Sequence, residues 1–295
     1  MSAVALPSSG GVAGEFARAL AAHRAGLLLE AVERYGALVR TLPRSATVRA
    51  NLGAALRSLG RCEEAVAWCR EAVALEPDLA DAHHNLGNAL ATACDFAGAA
   101  AAFARALELI PGDRDARAAL EEAATRAGDQ LVAAGRPREA AELQRNALAV
   151  ALDSPRLLCG LGLALQDAGD AAGAVAAHRR AIVLDPQLAE AYVNLAAAHF
   201  AGGDLLEAEA AARGALSVCP DSARAYNNLG GALEWQGKFS EALSAYRAAI
   251  ALLPDEGRFH ANFSHALLAS GALAEGWREH AWRWRDPQFK SPRRA

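Results

Sequence analysis

A unit of 34 residues recurs along almost the whole of this chain, carrying Leu-Gly, a turn glycine, an alanine and a closing proline in fixed order. Leu52-Gly53, Gly60, Ala65 and Pro77 return as Leu86-Gly87, Ala99 and Pro111, and again as Leu161-Gly162, Gly169, Ala174 and Pro186. A unit of that length holds two short helices and a turn, too little to bury an apolar face alone, so the units must stack. Composition agrees: with 53% apolar but only 6% aromatic residues, the core must come from Ala and Leu on helices. The expectation is an all-α solenoid with one core running along it.

Eight units fit, at 12–45, 46–79, 80–113, 121–154, 155–188, 189–222, 223–256 and 257 to about 290. Ala31, Ala65, Ala99, Ala140, Ala174, Ala208 and Ala242, with Gly276 last, mark where the two helices of a unit cross most closely. Gly26, Gly60, Gly135, Gly169, Gly203, Gly237 and Gly271 end the first helices, where a left-handed residue turns the chain without a Cβ clash; Cys94 stands in the eighth place. Pro43, Pro77, Pro111, Pro186, Pro220 and Pro254 close the second helices; Leu152 breaks the series and Pro155 stands in nearby. Residues 114–120 interrupt the frame with helix formers, so the fourth unit's first helix starts about two turns early, roughly 10 Å more helix. The weak match of that unit predicts a bend or hinge between units 1 to 3 and units 4 to 8. Residues 1–11 are expected to be disordered and 286–295 to form a tail, with the solenoid over 12–285.

The period and its small-residue pattern resemble the tetratricopeptide repeat. That resemblance implies a right-handed superhelix of about eight TPR helix-turn-helix repeats whose concave face binds other proteins. The formal charge of -4 shows no basic stripe for nucleic acid. Residues 1–11 lack the charged and apolar regions of a signal peptide, and no apolar run reaches the ~18 residues of a membrane helix, so no membrane contact and a cytoplasmic location are expected. The five cysteines show neither CxxC nor zinc spacing; they read as packing residues, with Cys159 the one that faces a groove. No metal or cofactor is expected.

Function must come from the surface the array presents, and one register position stands out. Asn51, Asn85, Asn194, Asn228 and Asn262 all occupy it, each directly before the Leu or Phe of a first helix. Stacked first helices would align these carboxamides as a ladder. A carboxamide both donates and accepts, so a ladder can hold the backbone of an extended peptide with little regard for its side chains. The same residues can equally bond within or between units, and both readings stay open. The series lapses at Ala17, Arg126 and Gly160, leaving two stretches, the longer at Asn194, Asn228 and Asn262. His84, Asn88, Asp81, Tyr192, Glu190, Arg224, Asn227 and Arg258 fall on groove-facing or neighbouring positions. Val193 and Ala261 stand where some proteins of the resembled family use Lys to clamp a chaperone's C-terminal carboxylate, which argues against that role. No nucleophile elbow, phosphate loop or metal spacing is present, so catalysis is not expected. His83, His178, His199, His260 and His280 fall in core register and are expected buried and hydrogen-bonded.

The end of the chain differs in kind. Trp277, Trp282 and Trp284 crowd one helical stretch, and residues 277–295 carry six Lys or Arg against two Asp or Glu, a local balance of 6 - 2 = +4. This stretch is either a docking surface or a capping helix. With Asp286-Pro287-Gln288-Phe289-Lys290 it resembles the junction in bacterial proteins that join such repeats to a glycosyltransferase, and the Asn series is similar to that of O-linked N-acetylglucosamine transferases. The catalytic domain of those proteins is missing from these residues. Two functions follow: an interaction scaffold for an extended polypeptide, or the substrate-recognition part of a split or truncated glycosyltransferase with a separate catalytic subunit as partner.

Overall fold

The computed structural model describes residues 11–282, which hold sixteen α-helices and no strand. The expectations for residues 1–10 and for the 286–295 tail lie outside the described residues. The helices pair as hairpins: α1 (Val12–Arg24) with α2 (Leu28–Thr41), α3 (Ala46–Ser58) with α4 (Cys62–Leu75), α5 (Ala80–Thr92) with α6 (Phe96–Leu109), and α7 (Arg114–Ala133) with α8 (Pro137–Val150). After them come α9 (Pro155–Asp167) with α10 (Ala171–Leu184), α11 (Ala189–Gly202) with α12 (Leu205–Val218), α13 (Ala223–Trp235) with α14 (Phe239–Leu252), and α15 (Gly257–Ala269) with α16 (Leu273–His280). The fold is all-α and built from repeats. It divides into two compact units, one ending at Asp153 and one beginning at Ser154.

Each hairpin turns in the same way. A residue in the turn after the first helix adopts a left-handed conformation, and the next N–H reaches back to a carbonyl in the helix's last turn, as in Arg61 to Leu56 at 2.9 Å and Lys238 to Leu233 at 2.9 Å. Seven turns supply glycine for the positive φ, and the eighth forces Cys94 to φ 62°. The second helices stop two residues short of the closing prolines, as α4 does before Pro77. Pro155 plays a different part from the one expected. It is the first residue of α9, where a missing N–H costs nothing, while α8 ends through Ala151 and the left-handed Asp153.

Within a hairpin the two helices interlock through a small residue facing a large one. A Cβ on Gly87 would lie 2.6 Å from the Phe103 ring, and one on Gly230 2.7 Å from the Tyr246 ring. Gly53 meets Cys69, Gly128 meets Gln144 and Gly162 meets His178 in the same register. The alanines of the other crossing series, from Ala31 to Ala242, are all buried. In the second unit, Leu195, Leu229, Leu233, Tyr246, Phe263 and Leu267 join one apolar cluster across α11 to α15.

Helix α7 spans 20 residues and takes in 114–120. Asp113 caps it by accepting from the Asp115 and Ala116 amides, and Arg117 donates to Leu152 O at 3.1 Å. Its buried Ala116, Leu120, Ala123, Ala124 and Ala127 let it pack closely on both α6 of the third hairpin and α8 of its own. The expectation of a break ahead of the fourth unit is therefore corrected. Small residues that look like weak packing in sequence allow close helix contact, and the division comes one repeat later, after Asp153.

Candidate functional site

In the second unit the first helices α9, α11, α13 and α15 lie side by side as an inner wall. A cavity of about 410 Å³ opens on this wall and draws residues from every one of them. Gln166 comes from α9, Phe200 from α11, Asn227, Asn228, Glu234 and Trp235 from α13, and Asn262 and His265 from α15, with Tyr246 of α14 behind them. Gly231 in the lining leaves the space: a Cβ there would be in ordinary contact, 3.5 Å from the Phe200 ring. One side of the cavity is aromatic. Phe200 and Trp235 meet edge to face at 6.3 Å between centroids, and Trp235 is 72% exposed.

The other side is polar and partly buried. Tyr246 Oη donates to Glu234 Oε2 at 2.8 Å, and burial pushes the Glu234 carboxyl above its usual range while the Tyr246 bond opposes that rise. Burial, with the neighbouring Glu234 charge, raises the Tyr246 phenol as well. Gln166 Oε1 is buried with no partner among the described residues.

The asparagine series is placed as two kinds of residue. Asn228 and Asn262 line the cavity and are half-buried. Their NH2 groups are already engaged: Asn228 Nδ2 donates to Val193 O at 3.0 Å, and Asn262 Nδ2 to Asn227 Oδ1 at 3.0 Å. Each bond crosses 35 residues, from one repeat to the preceding one. Asn194 does not join them at the surface. It is 1% exposed, and Arg224 from the next repeat donates to its Oδ1 at 3.3 Å, so the expected longer stretch reduces to Asn228 and Asn262. In the first unit, Asn85 Nδ2 reaches Ala50 O at 3.4 Å and Asn51 Nδ2 caps back to Thr47 O at 2.8 Å within its own helix. The carboxamides thus act first as braces between or within repeats.

Of the tryptophans, Trp277 is 62% exposed and meets His280 edge on at 5.4 Å between centroids. Trp282 stacks flat on His260 at 3.9 Å, which also contacts Glu279 and donates to Pro254 O. Trp282 therefore packs on the end of the array, and Trp284 lies outside the described residues. Cys159 does not face a groove as expected: it is buried, and burial pushes its thiol up to about 12, so it carries no thiolate. His178 is buried as expected but lacks the expected bonds; neither ring nitrogen has a partner among the described residues, and burial lowers it to about 4.

Sequence reasoning missed Phe200, Trp235, Gln166 and Glu234. Trp235 was the available signal, since a large aromatic two residues before the turn glycine Gly237 falls outside every core register. Among the described residues no set of His, Cys, Asp or Glu gathers to hold a metal, and no helix is long and apolar enough to cross a membrane.

Comparison with known families matches a TPR repeat at 53–92 and tetratricopeptide repeats at 80–113, 125–189 and 187–255. Curated protein sequences give no match. Among solved structures, the Naa15/Naa10 complex bound to HypK-THB is similar over 96% of this chain and 44% of its own, with TM-score 0.55 and 17% identity. TTC0263, a thermophilic TPR protein of Thermus thermophilus, is similar over 57% of this chain and 92% of its own, with TM-score 0.51 and 23% identity. MamA 41-end from Desulfovibrio magneticus RS-1 follows at TM-score 0.49 and 20% identity, over 57% of this chain and 97% of its own. These likenesses are of fold.

Proposed function

We propose that this chain, which is a tetratricopeptide-repeat protein, is a non-catalytic interaction scaffold that holds an extended polypeptide against the first-helix wall of its second unit. The observation that carries this reading is the cavity on that wall, fed by all four first helices and bordered by Asn228 and Asn262. Their NH2 groups fix the register of the repeats, while each Oδ1 has no partner among the described residues and is oriented by the brace. A fixed acceptor beside an aromatic shelf suits a backbone N–H and a side-chain anchor together. A sugar-transferase partner rests on sequence likeness alone and takes second place.

Gly231→Leu tests the reading without touching the braces, because its Cβ has room and the remaining side chain fills the cavity. Random peptides displayed on phage should be enriched on the intact chain and not on the Gly231→Leu variant, with the two matching in circular dichroism and melting. Equal enrichment on both would move binding away from this wall.

A further inference from the structure

Resting on the reading just given, the geometry points to a more specific occupant: we infer that the cavity of the second unit is an anchor pocket for an arginine side chain of the bound segment. The lining holds several acceptor oxygens with no partner among the described residues. The donors of Asn228 and Asn262 are engaged with Val193 O and Asn227 Oδ1, so both ladder residues present oxygen. Gln166 brings an oxygen that is buried without a partner among the described residues, an unusual state for a buried polar atom and one that a ligand N–H relieves. Glu234 brings a carboxylate, raised by burial and held down by the Tyr246 bond and the nearby His265. Tyr246 fixes its Oε2, and Oε1 has no partner among the described residues.

Among the described residues, no Lys or Arg lines the cavity to neutralise that carboxylate; His265 is the one basic side chain in the lining. A half-buried carboxylate held by a phenol, facing a space of about 410 Å³ with no Lys or Arg of its own, is complementary to a cation arriving from outside. The aromatic side selects among cations. Trp235, exposed and set edge to face against Phe200, offers an indole surface in the same lining as Glu234. A planar guanidinium can lie on an indole while its N–H groups reach several separate acceptors, whereas an ammonium is a compact, strongly hydrated point charge. An apolar anchor would satisfy the aromatic side but cover Glu234 Oε1 and leave Gln166 Oε1 without a donor.

The test uses the full chain and the phage-selected peptides, remade with the central basic residue as Arg, Lys or Met, and titrated by tryptophan fluorescence and calorimetry. Selected peptides should share an arginine. Changing it to Met should weaken binding by about tenfold, and to Lys by a smaller factor. Glu234→Gln, which keeps size and the Tyr246 contact, should remove most of the difference between Arg and Met peptides, and Trp235→Leu most of that between Arg and Lys. Peptides that bind at the wall, are blocked by Gly231→Leu, and carry apolar or lysine anchors would overturn the arginine assignment while leaving the scaffold reading intact. Failure to select any peptide dependent on Gly231 would overturn both. A Glu234→Gln variant that binds Arg and Met peptides with the wild-type ratio would overturn the role of the carboxylate.

Discussion

The side chain of His178 shows what residue-level register can and cannot tell. It occupies the place held by Tyr35, Cys69, Phe103, Gln144 and Tyr246 in other repeats, large or polarizable groups set over a small residue of the first helix. Burial was legible from that register, since Gly162 opposite it leaves a hole that something must fill. The missing hydrogen bonds were not, because they depend on which carbonyls the neighbouring turns expose. The same limit applies to Asn194, which is buried and whose Oδ1 accepts from Arg224 in the next repeat. An imidazole buried without partners stays neutral, and burial lowers it from 6.5 to about 4. Above the unfolded value both states are neutral and the group adds no pH dependence. Between the two values only the unfolded chain takes the proton, so stability falls as pH falls. At about pH 5 the loss from this group is on the order of 2 kcal/mol. Urea unfolding of the full chain at neutral pH and at about pH 5 should show the loss, and His178→Phe, matching Phe103 over Gly87, should reduce it. A pH dependence unchanged by that substitution would show that other groups carry it.

At the scale of the hairpin, helix boundaries were readable because each is set by local chemistry: a left-handed residue at the turn, a proline after the second helix, and capping side chains such as Asp95 accepting from Gly98 N at 2.9 Å. Inter-repeat bonding was less readable. A carboxamide on the inner wall can serve a ligand or the first helix of the preceding repeat, and sequence cannot rank the two; the structure shows the NH2 groups of Asn85 and Asn228 on that helix. The cavity residues escaped for a related reason, since Phe200 and Trp235 come together only when α11 and α13 stack. The hairpin of α5 and α6 carries the one turn that local chemistry does not favour. Cys94 holds φ 62° where the other hairpins have glycine, at a cost of roughly 1 to 2 kcal/mol for a residue with a Cβ. It is exposed, so no packing offsets the strain. Cys94→Gly should therefore raise stability by about 1 kcal/mol, less than the full strain because glycine also gains freedom in the unfolded chain. Thermal melting of the two proteins under reducing conditions checks it. An equal or lower melting temperature would mean that the turn relaxes without glycine.

Across the whole molecule, contacts in a repeat array run between neighbours, so stability is a sum of local terms and need not be shared evenly. The division after Asp153 gives that idea a definite place to act. A segment starting at Ser154 keeps its own beginning, because Ser154 Oγ accepts from Leu157 N at 3.3 Å and Pro155 is already set for a helix's first turn. It also keeps its own core, the cluster from Leu195 to Leu267, and every residue that lines the proposed arginine pocket. Glu209 adds an internal tie. It accepts from Lys238 and Gln236 in the turn between α13 and α14 and from Arg213 on its own helix, and these donors, Lys238 first, hold its carboxyl down at about 2, so the network stays charged through ordinary acidity. The fragment 154–295 should therefore be helical by circular dichroism, unfold cooperatively, and bind an arginine-bearing peptide within about threefold of the full chain, a margin below the tenfold that one lost charged contact produces. Fragment 1–153 should be helical and fail to bind it. If 154–295 is unfolded while the full chain melts in one step, the two compact units stabilise each other and neither is a folding unit. If it folds but loses the peptide, part of the binding surface lies before Ser154, and the pocket alone does not account for recognition.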